Sequence, residues 1–344
     1  MEEGIPTRMG DGSLTRMTRS EIKADIEAGT QAAAAKAKVP PLSDVEQEHL
    51  LDIYASKARF TAVDMGEGVI ISADGSGTRH IGTRQNDMQC FEQLLGADII
   101  ELWHIDYSFK AVKTVLPFEQ QEMKDCLNVI TSPMQYGAMP DLGRYTQPDG
   151  PIANWSELMP LGKIDEARDA QLEAVEQAVD DMVFVADGMA AVGADGIDLD
   201  TTGAAGDADF LAALRATEII RKKHPDMGIE MGMAGEFVLG MHGQIEYDGR
   251  RLAGMWPLAQ LKAAEKAGAT IFGPCVNVNT GKSGAWNVAR AITLVKPCMA
   301  EAKIPIHMNA GMGVGGVPMC RYLPLDAVSR ASKAMVEILR LDGL

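Results

Sequence analysis

The sequence predicts an α/β fold, a (β/α)8 barrel of the TIM type that is incomplete at its C-terminus, and three observations carry the prediction. Short apolar runs alternate with long helical patterns from residue 91 onward, as in parallel strands joined by right-handed helical crossovers. Polar and acidic residues collect at the carboxyl end of one run after another, where β/α barrels keep their chemistry. The early GxGxxG turn that a doubly wound sheet places after its first strand is absent.

The 344 residues, 46% of them hydrophobic, suffice for one large barrel or two ordinary domains. A net charge of −16 argues against a general binder of nucleic acid or anionic membrane, because phosphate attracts clustered Lys and Arg. The five cysteines (Cys90, Cys126, Cys275, Cys298 and Cys320) are odd in number and lack CxxC spacing, so neither a disulfide framework nor a zinc knuckle is indicated. The N-terminus is polar and Arg-containing, without a signal pattern, and no run of about 18 apolar residues occurs. A soluble cytoplasmic protein is expected.

In chain order, residues 1–90 read as an N-terminal extension and 91–344 as the partial barrel. An Ala-rich helix is expected over 18–38 with Ser20 as its cap, and Ser43 with Glu46 has the spacing of a capping box that starts a second helix through about Lys57. The apolar run at 69–72, Gly75 to Gly77 and Ile81 suggest a hairpin over a barrel mouth. Strands are expected near 98–103, 127–132, 195–199, 228–233, 270–276 and 304–308, with helices over 165–192, 207–223, 257–267, 284–302 and 325–341. That is about six strand and helix units where eight close a barrel, and Asp342-Gly343-Leu344 reads as the exit turn into a further strand. As written, the chain is therefore expected to be poorly stable, with an open sheet edge and an uncovered last helix.

The organising stretch is GADGIDLDTTGAAGD, residues 193–207. Strand pleating sends Ile197 and Leu199 to one face and Asp198 and Asp200 to the other. In GIEMGMAGE, residues 228–236, Glu230 points inward if Ile229 and Met231 face the helices, and Gly232 and Ala234 leave room for a ligand above it. Glu236 lies beyond that strand and is the alternative acid. Glu101, His104, Tyr136, Asn277 and His307 are further pocket candidates at strand ends, each equally readable as a satisfied structural polar group. Gly311, Gly313, Gly315 and Gly316 form a glycine loop resembling a phosphate cradle, but it follows about the sixth strand, whereas phosphate-binding barrels use the loops after strands 7 and 8. It reads instead as close backbone approach, with a corrin ring as the candidate neighbour. His104, Asp106, Asp198, Asp200 and His307 could hold a divalent metal, although no HxH or ExxH pair supports it. The 21 methionines read mainly as core filler.

Long stretches carry a family resemblance: GADIIELWHIDYSFKAVK (96–113), QYGAMPDLGRYTQPDGP (135–151), GADGIDLDTTGAAGD, GMAGEFVLGMHG (232–243), GATIFGPCVNVNTGKSGAWNVARA (268–291), AGMGVGGVPM (310–319) and DAVSRASKAMVEI (326–338). From RMGDG (8–12) onward the chain resembles the dimethylamine:corrinoid methyltransferases of methylamine-using methanogens and related anaerobes.

That resemblance implies a barrel that takes a methyl group from dimethylamine, passes it to the Co(I) centre of a separate, cognate corrinoid protein and releases monomethylamine, in methanogenesis from methylamines. It implies that no cofactor is held tightly by this chain, and that a pyrrolysine, encoded by an amber codon, comes directly after the segment similar to Asp342-Gly343-Leu344. A chain ending at Leu344 would then be an amber-terminated product able at most to bind the corrinoid partner, and read-through is expected to restore stability and turnover. Such an amine needs an electrophilic imine to add to, an acid to protonate the imine nitrogen and carboxylates to stabilise the cation, which suits Glu230 as proton donor and Asp198 and Asp200 as holders of the charge. A homo-oligomer is expected.

Overall fold

The computed structural model describes residues 4–61, 71–75, 99–104, 134–137, 142–240, 243–311, 313–320 and 323–344. The chain divides into two compact units, one comprising Met1–Ile70, Trp256–Leu261 and Gly273–Leu344, the other Ile71–Met255 and Lys262–Phe272. This division runs across the expected boundary at residue 90, because the N-terminal helices pack with late ones in the chain.

The first unit opens with an antiparallel hairpin, β1 (Ile5–Arg8) and β2 (Leu14–Met17). Helix α1 (Arg19–Ala37) is capped by Thr18, not Ser20: the Thr18 Oγ1 accepts from the Glu21 N–H at 3.2 Å and the Glu21 carboxylate accepts from the Thr18 N–H at 2.7 Å. The reciprocal spacing satisfies two donors at once, which Ser20, already inside the first turn, cannot do. The Ser43–Glu46 capping box is present and starts α2 (Asp44–Ala55), which ends two residues before Lys57. Ile22, Ile26, Gly29, Thr30 and Ala33 form one buried stripe at helical spacing on α1. The stripe packs on a later helix, Gly284–Glu301. The backbones meet where a Cβ on Gly29 would stand 2.4 Å from the Trp286 carbonyl oxygen. Gly29→Ala is therefore expected to lower the unit's stability by about 1–3 kcal/mol, read as a lower urea midpoint at unchanged slope.

The second unit is a six-stranded sheet among the described residues, with order β10-β7-β6-β5-β4-β3. Strands β3 (Ile71–Gly75), β4 (Ile99–His104), β5 (Met134–Gly137), β6 (Gly196–Thr202) and β7 (Gly228–Met233) lie side by side in chain order, all parallel. Of the expected hairpin near 69–81, residues 71–75 are described, and they pair in parallel with β4 as a strand of the main sheet. The rest of that proposed hairpin, the strand expected over 127–132, and Asp106 lie outside the described residues. Helices α3 (Ile164–Val192) and α4 (Asp207–Lys223) pack on each other and on β6. Ile197, Leu199, Ile229 and Met231 are fully buried. After a short antiparallel pair, β8 (Glu246–Tyr247) and β9 (Arg250–Arg251), helix α5 (Pro257–Ala267) leads to β10 (Ile271–Gly273), shorter than expected because Pro274, which has no N–H, follows it.

In the first unit, α6 (Gly284–Glu301) is followed at 306–308 by an isolated parallel bridge between His307 and Gly343, where a strand was expected. The Met308 N–H donates to the Gly343 carbonyl at 3.2 Å and the Gly343 N–H to the Ile306 carbonyl at 3.1 Å. The last helix, α7 (Leu325–Ala334), passes into a π-helical turn at Met335–Leu339. No helix among the described residues is long and apolar enough to cross a membrane.

Candidate active site

Asp198 and Asp200 lie within β6 and Glu230 within β7, with Glu236 just past the end of β7. Asp198 and Glu230 are direct partners in the parallel register, and each is only 3% exposed. Partners in adjacent strands stand about 4.8 Å apart and share a face. The same row continues through Gly137 to His104. Glu101 and Tyr136 fall on the alternate rows, Tyr136 with Ile197 and Ile229, one step away from the acids. The side chains of Glu101, His104 and Tyr136 lie outside what is described.

Past Leu199 the ladder breaks. Leu199 pairs with Met231 but Thr202 pairs with Met233, so Asp200 and Thr201 together oppose the single residue Gly232. This is a β-bulge, a device that re-aims side chains beside functional sites. Thr201 is left-handed at φ 54°, which for a β-branched residue costs on the order of 1–3 kcal/mol. Two bonds hold it: the Thr201 N–H donates to Asp200 Oδ1 at 2.7 Å, and the buried Thr202 hydroxyl donates to the Leu199 carbonyl at 2.7 Å. The result is convergence. A Cβ on Gly232 would lie 3.2 Å from Asp198 Oδ1 and 3.3 Å from Asp200 Oδ1. Two carboxylates lean over Gly232. Glu236 follows β7 as expected and is 7% exposed.

The first turn of α4 carries two further buried acids that sequence reasoning missed, Asp207 and Asp209. Asp209 accepts from the Ala205 N–H at 3.0 Å and braces the loop leaving β6. Asp207 is 2% exposed; its Oδ1 accepts from the Ala208 N–H at 3.1 Å, while Oδ2 has no hydrogen-bond partner. Asp207 lines a cavity of about 10 Å³, room for one water, together with Arg168, Gln171 and Gln244. Burial raises the Asp207 pKa, against the pull of its own, the Ala208 and the Ile245 N–H groups. Because the folded-state value lies above the unfolded one, the folded protein holds the proton more tightly, and stability is lost as pH rises through the raised value. Asp207→Asn is expected to gain on the order of 1 kcal/mol at neutral pH and to flatten that decline, as measured by urea unfolding across pH.

The remaining candidates belong to the other unit. The Asn277 carbonyl accepts from Arg290 at 2.9 Å, and Asn277 bridges Val314 in antiparallel register. In the glycine loop the N–H groups of Gly313, Val314, Gly315 and Val317 donate to the carbonyls of Val317, Gly311, Val276 and Val314. Those four donors are taken up by the loop itself, unlike the N–H groups of a phosphate cradle. A Cβ on Gly315 would stand 2.6 Å from the Asn309 carbonyl oxygen and one on Gly316 2.2 Å from Val288, so the glycines are required by internal packing. Gly315 and Gly316 approach other atoms of this chain closely. Among the described residues no group of three or more His, Cys, Asp or Glu side chains is arranged to hold a metal ion.

Comparison with known proteins gives the chemistry its context. Among solved structures, a mandelate racemase/muconate lactonizing protein from Paracoccus denitrificans Pd1222 is 11% identical over 70% of this chain, with a TM-score of 0.36; the chain spans 47% of that protein's length. A protein described as a deoxyribose-phosphate aldolase from Coccidioides immitis is 10% identical over 94% of this chain and 97% of its own, with a TM-score of 0.38. A dihydropteroate synthase from Xanthomonas albilineans is 13% identical over 79% of this chain and 82% of its own, with a TM-score of 0.36. The family model described as dimethylamine methyltransferase (Dimeth_PyL) matches residues 3–344, the strand ends that carry the acids included. A match of that extent identifies the chain as a member of the dimethylamine methyltransferase family.

Proposed function

We propose that this chain, folded as part of a (β/α)8 barrel, binds dimethylamine in its protonated form and passes one methyl group to the Co(I) corrinoid of a separate protein, releasing monomethylamine. The observation that carries this reading is the convergence of Asp198 and Asp200 over Gly232, with Glu230 beside Asp198 in register. One C–N bond breaks with its electron pair staying on nitrogen, while the carbon bonds to cobalt, which goes from Co(I) to methyl-Co(III). A secondary amine is a poor leaving group unless its nitrogen carries positive charge. Asp198 and Asp200 hold that charge, and Glu230 gives its proton to the methylamine nitrogen after the C–N bond has broken, so that the product leaves as methylammonium. Orientation of the amine by the carboxylates lowers the barrier further. The family resemblance also implies a pyrrolysine following Leu344, whose imine would supply an electrophile for the amine. Acids able to hold a cation and to supply a proton fit that group.

The test is to mix the protein with dimethylamine and its cognate corrinoid protein reduced to Co(I), following the cobalt spectrum and monomethylamine together. Stoichiometric formation of methyl-Co(III) and monomethylamine is expected. Equal rates with dimethylamine and with no amine would end the proposal.

A further inference from the structure

Gly232 carries no chemistry, yet both carboxylates of the β6 strand end lean on it. In a regular ladder Asp200 would face Gly232 and Thr202 would face Ala234. The observed pairing of Thr202 with Met233 shows one extra residue in β6, and the turn this forces falls between the two aspartates and Thr202. The Thr202 hydroxyl closes the turn onto the Leu199 carbonyl, and the Thr201 N–H fixes Asp200 Oδ1. The geometry points to Gly232 and Thr202 as positioning residues: the bulge and the missing side chain at 232 let Asp198 Oδ1 and Asp200 Oδ1 stand 3.2 and 3.3 Å from one empty Cβ position, and their placement there sets the fit to a dialkylammonium ion. This inference rests on the ligand class proposed above.

The contact distances explain the sensitivity. An added methyl group at 232 would meet Asp198 Oδ1 at 3.2 Å and Asp200 Oδ1 at 3.3 Å, tighter than ordinary van der Waals contact, so both oxygens must give way. Binding constellations tolerate displacements of only about 0.5 Å. Carboxylates that converge on one position titrate with steps split by their coupling, and the split narrows as they move apart. That splitting depends on their separation and not on any ligand.

Two measurements on the full chain separate the positioning role from the choice of ligand. Carbon-detected NMR titration of the aspartate carboxyls reads the coupling, and calorimetry with dimethylammonium chloride reads affinity. Gly232→Ala is expected to narrow the splitting and weaken dimethylammonium binding about tenfold. Thr202→Val, which keeps the shape and removes the hydroxyl, should act in the same direction, and Thr202→Ser should restore the unsubstituted behaviour. Unchanged splitting and affinity in both Gly232→Ala and Thr202→Val would overturn the positioning role while leaving the ligand assignment intact. A narrowed splitting in a chain whose unsubstituted form binds no dimethylammonium would support the positioning role and overturn the ligand assignment. If Gly232→Ala fails to fold, the Thr202 pair decides the same question, since a hydroxyl that only stabilised the fold would change the urea midpoint without moving the titration.

Discussion

Replacing Glu230 by glutamine is expected to lower methyl transfer from dimethylamine at least about 100-fold, the lower range of what a positioned proton donor contributes. Glutamine keeps the volume and loses the transferable proton. Glu230 is 3% exposed and is the register partner of Asp198 in the β6–β7 ladder, and an amide of the same size fills the same space. The variant is expected to fold, which makes the loss of rate interpretable. The check is a cobalt-spectrum assay beside a urea denaturation curve. Undiminished turnover would remove Glu230 from the chemistry, whereas a lowered urea midpoint would mark its carboxylate as structural.

Phe210→Ala carries the largest expected effect on stability. Phe210 is fully buried in the first turns of α4, where its N–H also closes the loop from β6 by donating to the Gly206 carbonyl at 3.1 Å. Truncating a buried phenylalanine costs about 3–5 kcal/mol, part transfer free energy and part cavity. That is a large share of a typical net stability of about 5–15 kcal/mol. The urea midpoint should fall steeply at unchanged slope. A shift below about 1 kcal/mol would show that the neighbouring side chains collapse into the space.

The alternation of apolar and acidic residues in 196–200 and 228–232 was enough to place Asp198 and Glu230 on one face, and the register confirms that they are partners. Periodicity also located α4 and α5 at the bounds observed, because both carry strong helical patterns between clear breakers. It could not assign Ser20 or Thr18 as cap, since both residue types cap well and only the Glu21 side chain's reach decides. Glu101 and Tyr136 show the limit of reading strand ends one at a time. Each has the right polarity at the right end of a strand, but the row it occupies depends on how neighbouring strands slide into register.

What the sequence by itself determined is the α/β alternation, the parallel sense of the strands and the shared parity of Asp198 and Glu230, all set by local period and chain order. The bulge at Asp200–Thr201, the use of Gly232 as a seat for two carboxylates and the burial of Asp207 were decided only by the tertiary structure. The reason is physical. A bulge exists only relative to a partner strand, a glycine is required only relative to the atoms that approach it, and an acid's protonation depends on the water its neighbours exclude.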